Sequence, residues 1–184
     1  MSQRAGHRLS RARRAPALLF AASLTAACAA GPEPLYGELR GTPQVIAGDL
    51  IELQGQRLRL AGIDAPEPGQ QCLFRDKLYD CGELARAALL DLTAGVEVIC
   101  QPLAGGTAEA KPGAAPTARC TAQGYDLSEG MVYTGWALVP PETTSPYAAQ
   151  QRQAEAAGHG LWRGRFVTPW DWVRGKRLPE EEQG

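Results

Sequence analysis

Hydrophobic and polar positions alternate most regularly between residues 44 and 62. Leu58 and Leu60 fall on one face and Arg57 and Arg59 on the other, the pattern of a half-buried strand. The same alternation predicts strands over 44–47, 49–54 and 56–62, with a turn at Gln54-Gly55-Gln56. Asp64 to Asp80 shows no period and is expected to be irregular. Leu84, Ala85, Ala88, Leu89 and Leu92 recur at helical spacing and predict a helix over 82–93, ended by Gly95. Strands are predicted over 96–101 and 117–121, separated by a Gly/Ala/Pro-rich excursion at 102–116. A second helix starts at Asp126, with Leu127, Met131 and Val132 inward. A third covers 147–158 and stops at His159-Gly160. Leu161, Trp162, Phe166, Trp170 and Trp172 read as a structural wrap around the domain rather than a base-stacking platform.

This order of elements predicts a mainly β domain with flanking helices. The arrangement that suits it is a five-stranded Greek-key barrel of the OB-fold type with three helices. A length of 184 residues fits one domain with tails, and 21 glycines and 14 prolines favour short strands and many turns. The expected organisation is a signal over 1–30, a tether over 31–43, the domain over 44–173 and a charged, disordered tail over 174–184.

The first 30 residues carry five arginines and no acid, followed by a short apolar run from Ala15 to Ala27. That run reads as an export signal. Leu24-Thr25-Ala26-Ala27-Cys28 resembles a lipoprotein cleavage box, with Cys28 as the lipidated first residue of a membrane-anchored periplasmic protein. Plain cleavage after Ala30, giving a soluble periplasmic or secreted protein, is the alternative. Setting Cys28 aside leaves four cysteines in an exported chain. Of their three pairings we favour Cys72–Cys81, beside the Asp64 turn, and Cys100–Cys120, joining two strands. No pair has the Cys-x₂₋₄-Cys spacing of a zinc knuckle.

Candidate chemistry gathers at the end of the alternating stretch. Arg59 lies on a strand, and Asp64 and Glu67 on the proline-containing turn after it. Asp49 can approach from the neighbouring strand. Carboxylate oxygens suit a hard divalent cation and a guanidinium suits a phosphate oxygen. Capping of turns by these acids is the bland alternative. Charge limits the partners: without the export segment, 14 basic residues face 20 acidic ones, a net of −6. That argues against a tight general binder of polyanions, and no aromatic ladder interleaved with Lys or Arg supports one.

Residues 43–173 resemble a staphylococcal-nuclease-like (thermonuclease) domain. The resemblance is carried by Gly48-Asp49, Arg59-Leu60-Ala61-Gly62-Ile63-Asp64-Ala65-Pro66-Glu67, Gln70, Cys72 and Tyr79-Asp80-Cys81-Gly82. Further support comes from Ala118-Arg119-Cys120, Asp126-Leu127, Met131-Val132, Gly135-Trp136-Ala137 and Gly160-Leu161-Trp162. It implies a calcium-dependent phosphodiesterase. Asp49, Asp64 and the backbone carbonyl of Ala65 would hold the metal, Glu67 would serve as general base, and Arg59 would be the first of two phosphate-binding arginines. Three positions depart from the family pattern. Ala115 stands where the second arginine belongs. Ala47 and Leu50 replace an aspartate and a threonine beside Asp49. Arg119 is a cation that the family carries beside its normal arginine, and Lys111, on the flexible stretch, could reach in as a point charge.

These departures predict impaired catalysis. The expected protein is an exported nuclease-fold domain that keeps a divalent-metal and phosphate site and acts structurally or through a protein partner at the membrane. Calcium would be weakly held or absent. The alternative is an active calcium-dependent nuclease on DNA or RNA. Nucleic acid or nucleotide would be a partner only in that case.

Overall fold

The structure, a computed structural model, describes residues 37–103, 114–141 and 144–182. A short strand, β1 (Leu39–Gly41), precedes three antiparallel ones, β2 (Gln44–Ala47), β3 (Leu50–Leu53) and β4 (Gln56–Leu60). Ile51, Leu53, Leu58 and Leu60 are at most 1% exposed, while Arg57 is exposed and Arg59 half-buried. Burying each such side chain contributes roughly 1.5–3 kcal/mol, so a slip of one residue would turn all four to solvent. Gln54 and Gly55, both at positive φ, make the two-residue turn between β3 and β4.

The segment 64–80 is not irregular throughout, as the sequence suggested. It contains a second small sheet, β5 (Gln71–Phe74) against β6 (Lys77–Asp80). Its turn residues, Arg75 and Asp76, adopt φ of 48° and 61° without a glycine. Helix α1 (Cys81–Thr93) follows at once. Asp80 caps it by accepting from the Glu83 N–H at 2.8 Å, and Ala85 and Leu89 form its buried face.

Strands β7 (Val98–Pro102), β8 (Thr117–Ala122) and β9 (Tyr125–Asp126) complete the larger sheet. Its order is β1-β7-β8-β4-β3-β2, with β9 on β8. All pairs are antiparallel except β4–β8, which is parallel and sets Arg59 beside Thr117. The protein is therefore mainly β with flanking helices, built on a mixed seven-stranded sheet where five strands were expected. Four α-helices are present among the described residues where three were expected. They are α1, α2 (Leu127–Tyr133), α3 (Ala148–Ala157) and the short α4 (Pro169–Val173), with one 3-10 turn at Gly160–Arg163. Helix α3 ends one residue earlier than expected, at Gly158 in the left-handed conformation.

Two apolar clusters hold these layers. The larger joins β3, β4, β7 and β8 to α1 and α2 through Ile51, Leu58, Leu89, Val98 and Met131. The smaller gathers Cys72, Cys81, Leu138 and Leu161, with Trp162, Phe166 and Trp170 packed on it, so the closing aromatic segment does wrap the domain. Both favoured disulfides are present. Cys100 and Cys120 face each other across β7–β8, with Cα atoms 4.1 Å apart. Cys72–Cys81 ties β5 to the start of α1. The last residues differ from the expected disordered tail: Leu178 is buried and Glu180 pairs with Arg165. Among the described residues no helix is long and apolar enough to cross a membrane. Cys28 and the whole export segment lie outside the described residues, as does most of the 102–116 excursion, Lys111 included.

Candidate functional site

The site lies where the turn after β4 meets the β2–β3 turn. Asp49 sits on that β2–β3 turn rather than on a strand. Its carbonyl accepts from the Leu60 N–H at 2.8 Å, which fixes it against the end of β4. Gly48 makes the approach feasible: a Cβ there would come within 2.8 Å of the Cβ atoms of both Ala65 and Ala85. The Asp49 side chain is only 4% exposed and forms an ion pair with Nη1 of Arg59, which reaches across from the register position opposite Leu50.

The turn bearing Asp64 and Glu67 is clamped from three sides. Asp64 exchanges two backbone hydrogen bonds of 2.8 Å with Leu138. The fully buried Gln70 accepts from the Glu67 N–H at 3.1 Å through its side chain and donates from its own N–H to the Glu67 carbonyl at 2.9 Å. Its amide nitrogen donates to the Val167 carbonyl at 2.7 Å, tying the turn to the segment that leads into α4. From below, Gly82 lets the Glu67 carbonyl pack onto the first turn of α1, where any Cβ would collide with it. Gln70 was legible as part of a motif, but its role as the joint between two segments 97 residues apart was not.

Three carboxylates thus share one guanidinium. Burial pushes the Asp49 carboxyl up and Arg59 pulls it back. For Asp64, burial first and then negative Asp49 push the carboxyl up to about 7, with Arg59 opposing and Glu67 adding to the rise. Glu67 is also raised, by burial and then by Asp49. Burial lowers the Arg59 pKa, but the three acids together outweigh it and hold the guanidinium charged.

Among the described residues no three acidic, histidine or cysteine side chains are arranged to enclose a metal ion by themselves. The chemistry of the donors nonetheless suits a hard cation. Asp49 and Asp64 offer oxygen only, crowded enough that a positive ion would relieve both, and the neighbouring Ala65 carbonyl is a further oxygen.

Arg59, Asp64 and Glu67, with Ile63, line an open groove of about 460 Å³. Pro140, Trp170, Val173 and Arg174 line the same groove. None of these four was singled out for chemistry in the sequence, because nothing local links them to the turn. Larger cavities lie elsewhere; the one between α1, α2 and β9 is lined by Asp91, Asp126 and Glu129 but by no basic residue that could meet a phosphate. Ala115 is half-buried just before β8, and the next residue, Pro116, accepts from the Arg59 N–H at 2.9 Å. Ala115, the position expected to differ from the nuclease pattern, is therefore the chain neighbour of a residue bonded to Arg59. Ala47, the second departure, is buried, and Leu50 is half-buried opposite Arg59.

No protein-family model matches the chain. It is 32% identical over 150 residues to the succinoglycan biosynthesis protein ExoI of Rhizobium meliloti (strain 1021), a match spanning 80% of this chain and 74% of that protein. The chain belongs to the family of that protein.

Proposed function

We propose that this member of the ExoI family is an exported, divalent-cation-dependent phosphodiesterase of the staphylococcal-nuclease-like type. We read the larger sheet as an OB-type Greek-key barrel, supported by its strand order and by the parallel β4–β8 pair. Two disulfides suit an oxidising compartment, and Cys28 is the proposed lipid anchor. The observation that carries the functional reading is the convergence of Arg59, Asp64 and Glu67 on one groove, with Asp49 held behind them.

Each residue has a part that follows from its surroundings. Arg59 has one nitrogen committed to Asp49 and keeps further N–H donors for a phosphate oxygen at the groove. It neutralises charge that grows on the phosphate as water attacks. Removing a donor of this kind typically costs about 3–4 kcal/mol. Glu67, raised by burial, accepts a proton from the attacking water. Asp49 and Asp64, with the Ala65 carbonyl, would hold the cation, which supplies Lewis-acid polarisation of the phosphate when bound. Gln70 and Gly82 keep the Glu67 turn in place.

A second reading, a domain that no longer turns over and works through a protein partner, is favoured by Ala115 and by the relative's name, which speaks of biosynthesis rather than cleavage. Calcium-dependent cleavage of single-stranded DNA or RNA by the wild-type protein, lost in Glu67→Gln, supports the first reading. Absence of cleavage under all divalent cations supports the second.

A further inference from the structure

We propose that Arg174 is the second phosphate-binding guanidinium of this site, supplied from the C-terminal helix, and that Trp170 beside it carries an unpaired base. The inference rests on the phosphodiesterase reading and adds two residues of the C-terminal helix to its site.

The need is electrostatic. A divalent cation on Asp49 and Asp64 together with Arg59 would only balance the three carboxylates Asp49, Asp64 and Glu67, and a phosphodiester adds another negative charge. Ala115 contributes no cation. Among the described residues that line the groove, Arg174 is the other cation.

The geometry places it well. Residues 170, 173 and 174 fall at i, i+3 and i+4, so Trp170, Val173 and Arg174 share one face of α4 and its cap, and all three line the groove. This segment is not loose. Pro169 and Trp170 pack into the domain, and Gln70 bonds the Val167 carbonyl with the same side chain that accepts from Glu67. One buried amide therefore sets the spacing between the acidic turn and the helix bearing Arg174.

Arg174 is also available. Its side chain is 62% exposed, and its contact with Asp171 is long at 3.3 Å. Lys176 holds the other oxygen of Asp171 at 2.9 Å, so the acid is satisfied without Arg174. A guanidinium has five N–H donors, enough to keep this link and still fork onto a phosphate. Trp170 is half-buried: it packs on the Leu138/Leu161 cluster and also lines the groove, so it adds a groove surface to the structural role expected of the aromatic segment. Stacking on an aromatic needs a base freed from its partner, hence single strands over duplex.

The test uses the full mature chain with calcium and oligothymidylate. Arg174→Ala is expected to lower kcat/KM about 10²–10³-fold without shifting the melting temperature. Arg174→Lys should recover part of it, as a point charge without the fork. Binding of a phosphorothioate oligothymidylate, followed by tryptophan fluorescence, should weaken in Arg174→Ala, and Trp170→Phe should lose most of the fluorescence change. Ala115→Arg should add little to the wild type but restore activity to Arg174→Ala. If the wild type cleaves and Arg174→Ala cleaves equally well, the inference fails and the phosphodiesterase reading stands. If the wild type neither cleaves nor binds the oligonucleotide, that reading fails and takes the inference with it.

Discussion

Replacing Asp64 with asparagine should make the cation-free protein more stable at pH 8, although it removes a residue at the centre of the site. Unfolded, this carboxyl has an ordinary value of 3.8; folded, burial and the charges of Asp49 and Glu67 raise it to about 7. Between those values the folded chain binds a proton that the unfolded chain has lost. Stability from this group is therefore full below pH 4 and declines as pH rises towards 7. Three units correspond to about 4 kcal/mol at most, and to about 2 kcal/mol once water entry and relaxation at an open groove are allowed for. Asparagine keeps the shape and the backbone bonds to Leu138 but carries no charge to bury. The assay is urea unfolding with a chelator from pH 5 to pH 8. Wild-type stability should fall across that range, while Asp64→Asn should fall much less and exceed wild type at pH 8 by about 2 kcal/mol, or roughly 4–8 °C in melting temperature. Calcium should stabilise wild type at pH 8 far more than the variant. A variant less stable than wild type at pH 8, or wild-type stability that rises from pH 5 to pH 8, would refute the reasoning.

Three further predictions concern the scaffold and the anchor. Loss of Cys100–Cys120 by a double serine substitution should cost about 3 kcal/mol, since it closes a separation of 20 residues, and urea midpoints with and without the substitution measure it. Gly82→Ala should lower turnover more than it lowers substrate affinity, because the added Cβ displaces the Glu67 carbonyl and with it the base; unchanged kcat would sink this placement. Mass spectrometry of the mature N-terminus should find a lipid-modified Cys28, whereas an unmodified chain starting near Ala30 would remove the anchor.

The sequence exposed what local pattern controls. The period of two through Leu58 and Leu60 placed β3 and β4, the helical spacing of Ala85 and Leu89 placed α1, Cys100–Cys120 was legible from the two strands it joins, and Cys72–Cys81 from the short loop it closes beside the Asp64 turn. It hid what depends on distant partners. The β5–β6 hairpin turns through Arg75 and Asp76 at positive φ, so no glycine marked it. β1 is three residues long and exists through its pairing with β7 some 60 positions on. The Asp49, Arg59, Asp64 and Glu67 group could be read in advance because its members lie within one hairpin and the turn after it. The rest of the groove lining could not, since Trp170 and Arg174 reach the groove only through long-range packing around Gln70.

The most direct test of the central claim is the rate of oligothymidylate cleavage by wild type and Glu67→Gln, measured side by side with calcium and then with a chelator. The account predicts calcium-dependent cleavage by wild type, abolished by the chelator, and a rate at least about 10²-fold lower in Glu67→Gln at the same melting temperature. Equal rates in the two proteins, or no cleavage by wild type, would contradict it.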